Sequence, residues 1–259
     1  LSATLPRREA FLIFGCILIL TALAWAYLFH LDRQMASSME HDKMMAAMGM
    51  TMEMAWTWAD AFFTFAMWSV MMVGMMAGAA APVLLLFGAA KAGHGQRGVS
   101  SDVLTFGLGY LAIWIGFSAC ATLGQWALHR AAMLSPAMAA SSPKLAGGIL
   151  IFAGAYQLTP WKRMCLTHCR TPLGFLMSNW RDGTLGALQM GLRHGAYCLG
   201  CCWALMSVLF AVGVMNLIWV AALTALVLLE KIGPAGAIVS GVAGAAMAVG
   251  GVLIIAGIL

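Results

Sequence analysis

The 259-residue chain is 63% hydrophobic and only 9% charged, against roughly 25% charged in ordinary soluble domains, which excludes a soluble globular protein and makes lipid the expected solvent. Its formal net charge is +5, but membrane topology accounts for the placement of the basic residues, and no nucleic-acid partner is expected. The apolar runs are long and lack the two-residue alternation of a membrane barrel. The expected fold class is therefore all-α, a polytopic transmembrane helical bundle of about seven spans with six as the alternative.

The first run, Phe11 to Phe29 behind Arg7 and Arg8, has the shape of a signal peptide, but no small-residue cleavage site follows before Asp32. It is read as a retained anchor covering residues 1–30. Residues 31–59 read as an extracytoplasmic loop with Met35, Met39, Met44, Met45, Met48, Met50, Met52 and Met54 beside His41 and Asp42. Residues 60–259 form the expected helical membrane domain, with spans near 61–90, 104–128, 145–160, 187–215, 217–230 and 236–258.

The fourth span is short before Pro160, the fifth is overlong, and the sixth is closed early by Glu230 and Lys231. Asp60, Glu230 and Lys231 read as markers of the membrane interface. A cytoplasmic N-terminus puts Arg7, Arg8, Lys91, Arg97, Lys162, Arg163, Arg170, Arg181, Arg193 and Lys231 inside, and leaves Arg33, Lys43, Arg130 and Lys144 outside. The expected location is the bacterial cytoplasmic (inner) membrane. Small-residue pairs such as Gly74 with Gly78, Gly241 with Ala245 and Gly244 with Ala248 are expected to serve helix packing.

Chemistry concentrates in the cysteines. Cys198, Cys201 and Cys202 stand at i, i+3 and i+4, so one helical face carries all three sulfurs. Upstream, Cys165 and Cys169 form an i, i+4 pair flanking His168. His194 precedes Cys198 by one helical turn, and Met206 follows Cys202 by one. The bland reading of a membrane cysteine is small apolar filler, and it is adopted for Cys16 and Cys120. Soft thiolates select Cu(I), zinc or iron–sulfur clusters, while C-x-x-C spacing by itself also suits thiol–disulfide exchange. Methionine numbers 21 residues, about three times the usual share. Thioethers bind Cu(I) without deprotonation, which makes Met44, Met45 and His41 outside the membrane, and Met72 and Met76 in the second span, secondary candidates; the competing readings are flexible packing in the span and, for the loop, an amphipathic helix lying on the membrane.

Several motifs then reach a resemblance. Gly109-Tyr110-Leu111-Ala112-Ile113-Trp114, Ala153 to Lys162, Cys165 to Leu173, Gly191 to Met206, and Gly213-Val214-Met215-Asn216 through Glu230-Lys231 resemble a bacterial family of predicted metal-binding integral membrane proteins, a domain of unknown function, over about residues 60 to 258. The methionine-rich segment before it has no counterpart in that pattern. The resemblance implies one metal site grouping Cys165, Cys169, His194, Cys198, Cys201 and Cys202, with no metal named.

The function expected on these grounds is copper handling: Cu(I) collected by the outer methionines and His41, passed along the second span, and held by the thiolates. The expected cofactor is a metal ion, copper before zinc or an iron–sulfur cluster. The expected partners are the lipid bilayer and either a metal donor or acceptor protein or a larger membrane complex. Alternatives are an accessory subunit of a membrane redox or metalloenzyme complex, and a thiol–disulfide oxidoreductase. No nucleotide loop or paired-carboxylate site is present.

Overall fold

A computed structural model describes residues 6–47, 56–93, 99–135 and 138–258. Ten helices follow one another among them: α1 (Arg7–Ala47), α2 (Trp58–Gly93), α3 (Val99–Arg130), α4 (Pro143–Gln157), α5 (Pro160–Arg170), α6 (Pro172–Asn179), α7 (Gly183–Ser207), α8 (Leu209–Val212), α9 (Leu217–Ile232) and α10 (Gly236–Ile255). Those residues contain no strand, only an isolated bridge between Leu134 and Ala140.

Local sequence explains the shorter helices. Ser142, Thr159 and Asn216 cap α4, α5 and α9, each side-chain oxygen accepting from a backbone N–H in the first turn. Pro143, Pro160 and Pro172 open α4, α5 and α6 at the position where a missing N–H costs nothing. Proline after Thr159 and after Thr171 thus cuts the polar stretch between α4 and α7 into two separate helices.

Five helical segments are long and apolar enough to cross a membrane: Arg7–Ser37, Trp58–Gly93, Val99–Arg130, Gly183–Val212 and Gly236–Ile255. The expected count of about seven is not reached on length. α4 has 15 residues and α9 has 16, so at 1.5 Å per residue each extends about 22–24 Å, short of a hydrocarbon core of about 30 Å. These are the two spans the sequence left weakest. A second difference lies in α1, which does not stop at Phe29 but continues unbroken to Ala47. Half of the expected outer loop is therefore helical. Met48, Met50, Met52 and Met54 lie outside the described residues, as do the side chains of Met39 and His41.

The core gathers where α2, α3 and α7 meet, around Trp68, Met71, Met72, Met75, Met76, Phe87, Phe106, Tyr110, Trp114, Cys202 and Met206. The α3–α7 crossing depends on Gly191, where an added Cβ would stand 2.0 Å from the Phe106 carbonyl oxygen. α4 and α10 form a second close pair through Gly154 and Gly244, whose expected packing role holds; Gly241, grouped with it from sequence, faces open space.

Three lysines read from sequence as inside-facing charges are instead interior: Lys91 and Lys162 are fully buried and Lys231 is 7% exposed. Lys91 pairs with Asp102 at 3.0 Å and Lys162 with Glu230 at 2.7 Å. Glu230 and Lys231, expected at an interface, are buried within the protein. The bundle encloses them because each meets a partner inside it.

Candidate functional site

α5 is laid across α7 and fastened to the end of α9. Lys162 donates to Glu230 Oε2 and to Gln157, and Gln157 Nε2 donates to Glu230 Oε1 at 2.8 Å. At the other end of α5, Arg170 Nη1 donates to the Glu230 carbonyl at 2.5 Å and Nη2 to the Pro234 carbonyl at 3.4 Å. These bonds satisfy carbonyls that a helix C-terminus leaves open. They also hold the intervening turns, with Cys165 and Cys169, against α7. Gly200 makes room: a Cβ there would stand 2.9 Å from Cys165 Sγ.

Cysteines from two helices thus face one core, Cys165 and Cys169 from α5 and Cys198, Cys201 and Cys202 from α7. Cys198, Cys201 and Cys202 are 1%, 1% and 0% exposed, and Cys165 and Cys169 are partly exposed on the α5 side. Cys201 Sγ lies 3.2 Å from Cys202 Sγ and donates to the Cys198 carbonyl at 3.1 Å. Cys169, partly buried on α5, packs against the core that contains Cys198, Cys201 and Cys202. Cys198 is the hub: Lys231 Nζ lies 2.7 Å from its sulfur and Tyr110 Oη 2.9 Å from it. All seven cysteines are free thiols. The neighbouring Cys198 raises the Cys169 thiol well above its ordinary pKa, and burial raises that of Cys165.

Other candidates fare unequally. His194 is 3% exposed, enclosed by Phe106, Tyr110 and Phe175, and its Nδ1 has no hydrogen-bond partner. A buried imidazole nitrogen left unpaired is a costly arrangement and a donor still available to a ligand. His168 is engaged elsewhere, stacked on Tyr197 at 4.3 Å with Nδ1 2.9 Å from the Met164 carbonyl. Met206 is buried one turn beyond Cys202. Met72 and Met76 are fully buried, and the Met76 carbonyl accepts from the Tyr110 hydroxyl that touches Cys198. Met44 is 63% exposed and Met45 partly so, both on the α1 extension.

Two participants escaped the sequence reading. Tyr110 sat within a quoted motif without a role, and Lys231 was read as an interface charge. An ionisable residue inside an apolar run was the signal for Lys231. Its partner, 33 residues earlier in the chain, was not readable.

Among the described residues no three His, Cys, Asp or Glu side chains stand in a ready-made metal cage. Cys201 and Cys202 Sγ instead touch at 3.2 Å, closer than the roughly 3.8 Å separating two thiolates on one tetrahedral metal with bonds of about 2.3 Å. Admitting a metal requires them to part by well under the width of an atom. The donor set itself, thiols with one imidazole and a nearby thioether, is that of a soft cation.

The class defined so far is an all-helical bundle with several membrane-length helices and a buried thiol cluster on two of them. The family model PpoB2, described as a copper chaperone, matches residues 65–254, and the chain belongs to this copper chaperone family. The match contains all five clustered cysteines, Tyr110 and Lys231. No curated protein and no solved structure matches the chain.

Proposed function

We propose that the chain is a membrane-embedded Cu(I) chaperone of the bacterial cytoplasmic membrane, N-terminus inside, that holds copper on thiolates drawn from Cys169, Cys198, Cys201 and Cys202 and passes it to a partner protein. Cys165 and His194 stand beside this set, and Met206 beyond it. Family membership supports copper as the cargo. The observation that carries the site is the laying of α5, with Cys165 and Cys169, against the core that holds Cys198, Cys201 and Cys202 of α7. Single cysteines used as filler would be dispersed; Cys16 and Cys120 are, on exposed helix faces.

Lipid embedding is supported by the outward faces of the long helices, where Phe11, Phe62, Phe63 and Ile238 are all at least 65% exposed. Such a surface suits hydrocarbon and not water. The route inward runs along α2, whose Met67, Met71, Met72, Met75 and Met76 are all buried and whose Met76 carbonyl accepts from the Tyr110 hydroxyl that touches Cys198. Thioethers bind Cu(I) weakly enough to release it, and the thiolates then take it more firmly. Burial of Cys198, Cys201 and Cys202 speaks against thiol–disulfide exchange, which needs a thiolate that a partner disulfide can reach.

The test is copper content after Cu(I) loading of purified protein, wild type beside Cys198→Ser/Cys201→Ser/Cys202→Ser. The wild type is expected to retain copper through desalting and the variant to fall to background. Equal copper in the two removes the assignment.

A further inference from the structure

Lys231 stands in the last turn of α9, and its Nζ lies 2.7 Å from Cys198 Sγ. A buried ammonium is unfavourable without a compensating anion. The negative end of the α9 dipole favours a cation there, but no carboxylate is paired with it. Lys162 is committed to Glu230, and the Arg170 guanidinium to carbonyls at the end of α9. Among the described residues, Lys231 is thus the cation placed on the thiol cluster.

That single charge constrains what the cluster can hold. Cu(I) on two thiolates carries one net negative charge, on three it carries two, and on four it carries three. In a buried site each uncompensated charge is costly. One ammonium cancels the first case and no other. The remaining thiols then stay protonated and act as hydrogen-bond donors, the role Cys201 already plays toward the Cys198 carbonyl.

We propose that Lys231 is the counter-cation of the copper site, fixing bound Cu(I) as a two-thiolate complex that includes Cys198. The Cys198 proton is held on Lys231 Nζ, which makes it the ammonium; the second thiolate comes from Cys169, Cys201 or Cys202, and its proton leaves to solvent as the metal enters. Lys162 and Arg170, by gripping Glu230 from α5, hold the last turn of α9 so that the ammonium and the Cys169 sulfur keep a common distance from Cys198. The inference rests on Cu(I) binding at these thiols as proposed above.

The experiment loads the full-length protein with Cu(I) alone and reads two quantities: the number of sulfur neighbours by copper-edge X-ray absorption, and affinity by competition with a chromophoric Cu(I) chelator. Two sulfurs are expected in the wild type and in Lys231→Arg, which keeps the charge. Lys231→Met, similar in length and neutral, is expected to bind at least about tenfold more weakly, with Lys231→Arg restoring most of the loss. Three or four sulfurs in the wild type, or undiminished affinity in Lys231→Met, overturns the role of Lys231 and leaves the chaperone reading intact. A wild type that takes up no Cu(I) overturns both. Should Lys231→Met fail to fold, the sulfur count in the wild type and in Lys231→Arg decides.

Discussion

Two neighbouring residues of α9 divide its last turn between two kinds of buried pair. Glu230 turns toward α4 and α5, where Lys162 and Gln157 satisfy both carboxylate oxygens. Lys231 turns toward α7, where it meets Cys198, whose sulfur also touches Tyr110 of α3. The first pair is made of hard groups with every strong acceptor filled, and it works as a joint between helices. The second sets a hard cation against a soft sulfur that a softer cation can claim. The difference separates what holds the bundle together from what the bundle holds.

The comparison breaks most sharply at the joint. Glu230→Ala leaves Lys162 buried opposite no anion and is expected to cost about 3–5 kcal/mol, whereas Lys162→Met/Glu230→Gln together should recover most of that. Thermal unfolding in detergent reads both, and a double variant no better than the single would show that the pair is not the joint. Next in size is Gly191→Ala, whose methyl group meets backbone and cannot be accommodated by a side-chain shift. A loss of about 1–3 kcal/mol or more is expected, against little change or a slight gain for Gly107→Ala on the neighbouring helix, which faces open space.

On the sulfur side the effects are smaller and show in metal binding. Cys165 and Cys169 have raised pKa values, so both are protonated at neutral pH and any copper bound to either must displace a proton. Affinity for Cu(I) should therefore rise with pH, by about tenfold per unit for each proton released, until the raised pKa is passed. A chelator competition series that is as steep in Cys165→Ser/Cys169→Ser as in the wild type would remove the α5 thiols from the site. Gly200→Ala pushes only on the mobile end of Cys165 and should cost below about 1 kcal/mol; a measurable drop in copper affinity would nevertheless bring Cys165 into the site. Cys16→Ser and Cys120→Ser should leave stability unchanged within about 0.5 kcal/mol and copper content unaltered.

Legibility in the sequence followed the range of the interaction. Placing Cys198, Cys201 and Cys202 on one face needed only helical periodicity. The two weak spans were visible as short runs before Pro160 and Glu230. The extension of α1 was missed because methionine-rich polar sequence is compatible with either helix or loop. For His168, spacing with Cys165 and Cys169 fits a ligand and left both readings open, and only the fold shows that its ring stacks on Tyr197 of the neighbouring helix.

What the sequence determined by itself was the helical class, the apolar lengths, and the presence of soft donors in two separate stretches, because those depend on composition and on contacts a turn or two apart. Only the tertiary structure decided which sulfurs share a cluster, that Lys231 joins them, and that Glu230 looks the other way. Those choices belong to the crossing of α5 and α9 over α7. They are set by packing and by buried charge pairs whose partners lie tens of residues away, and no local pattern encodes such a meeting.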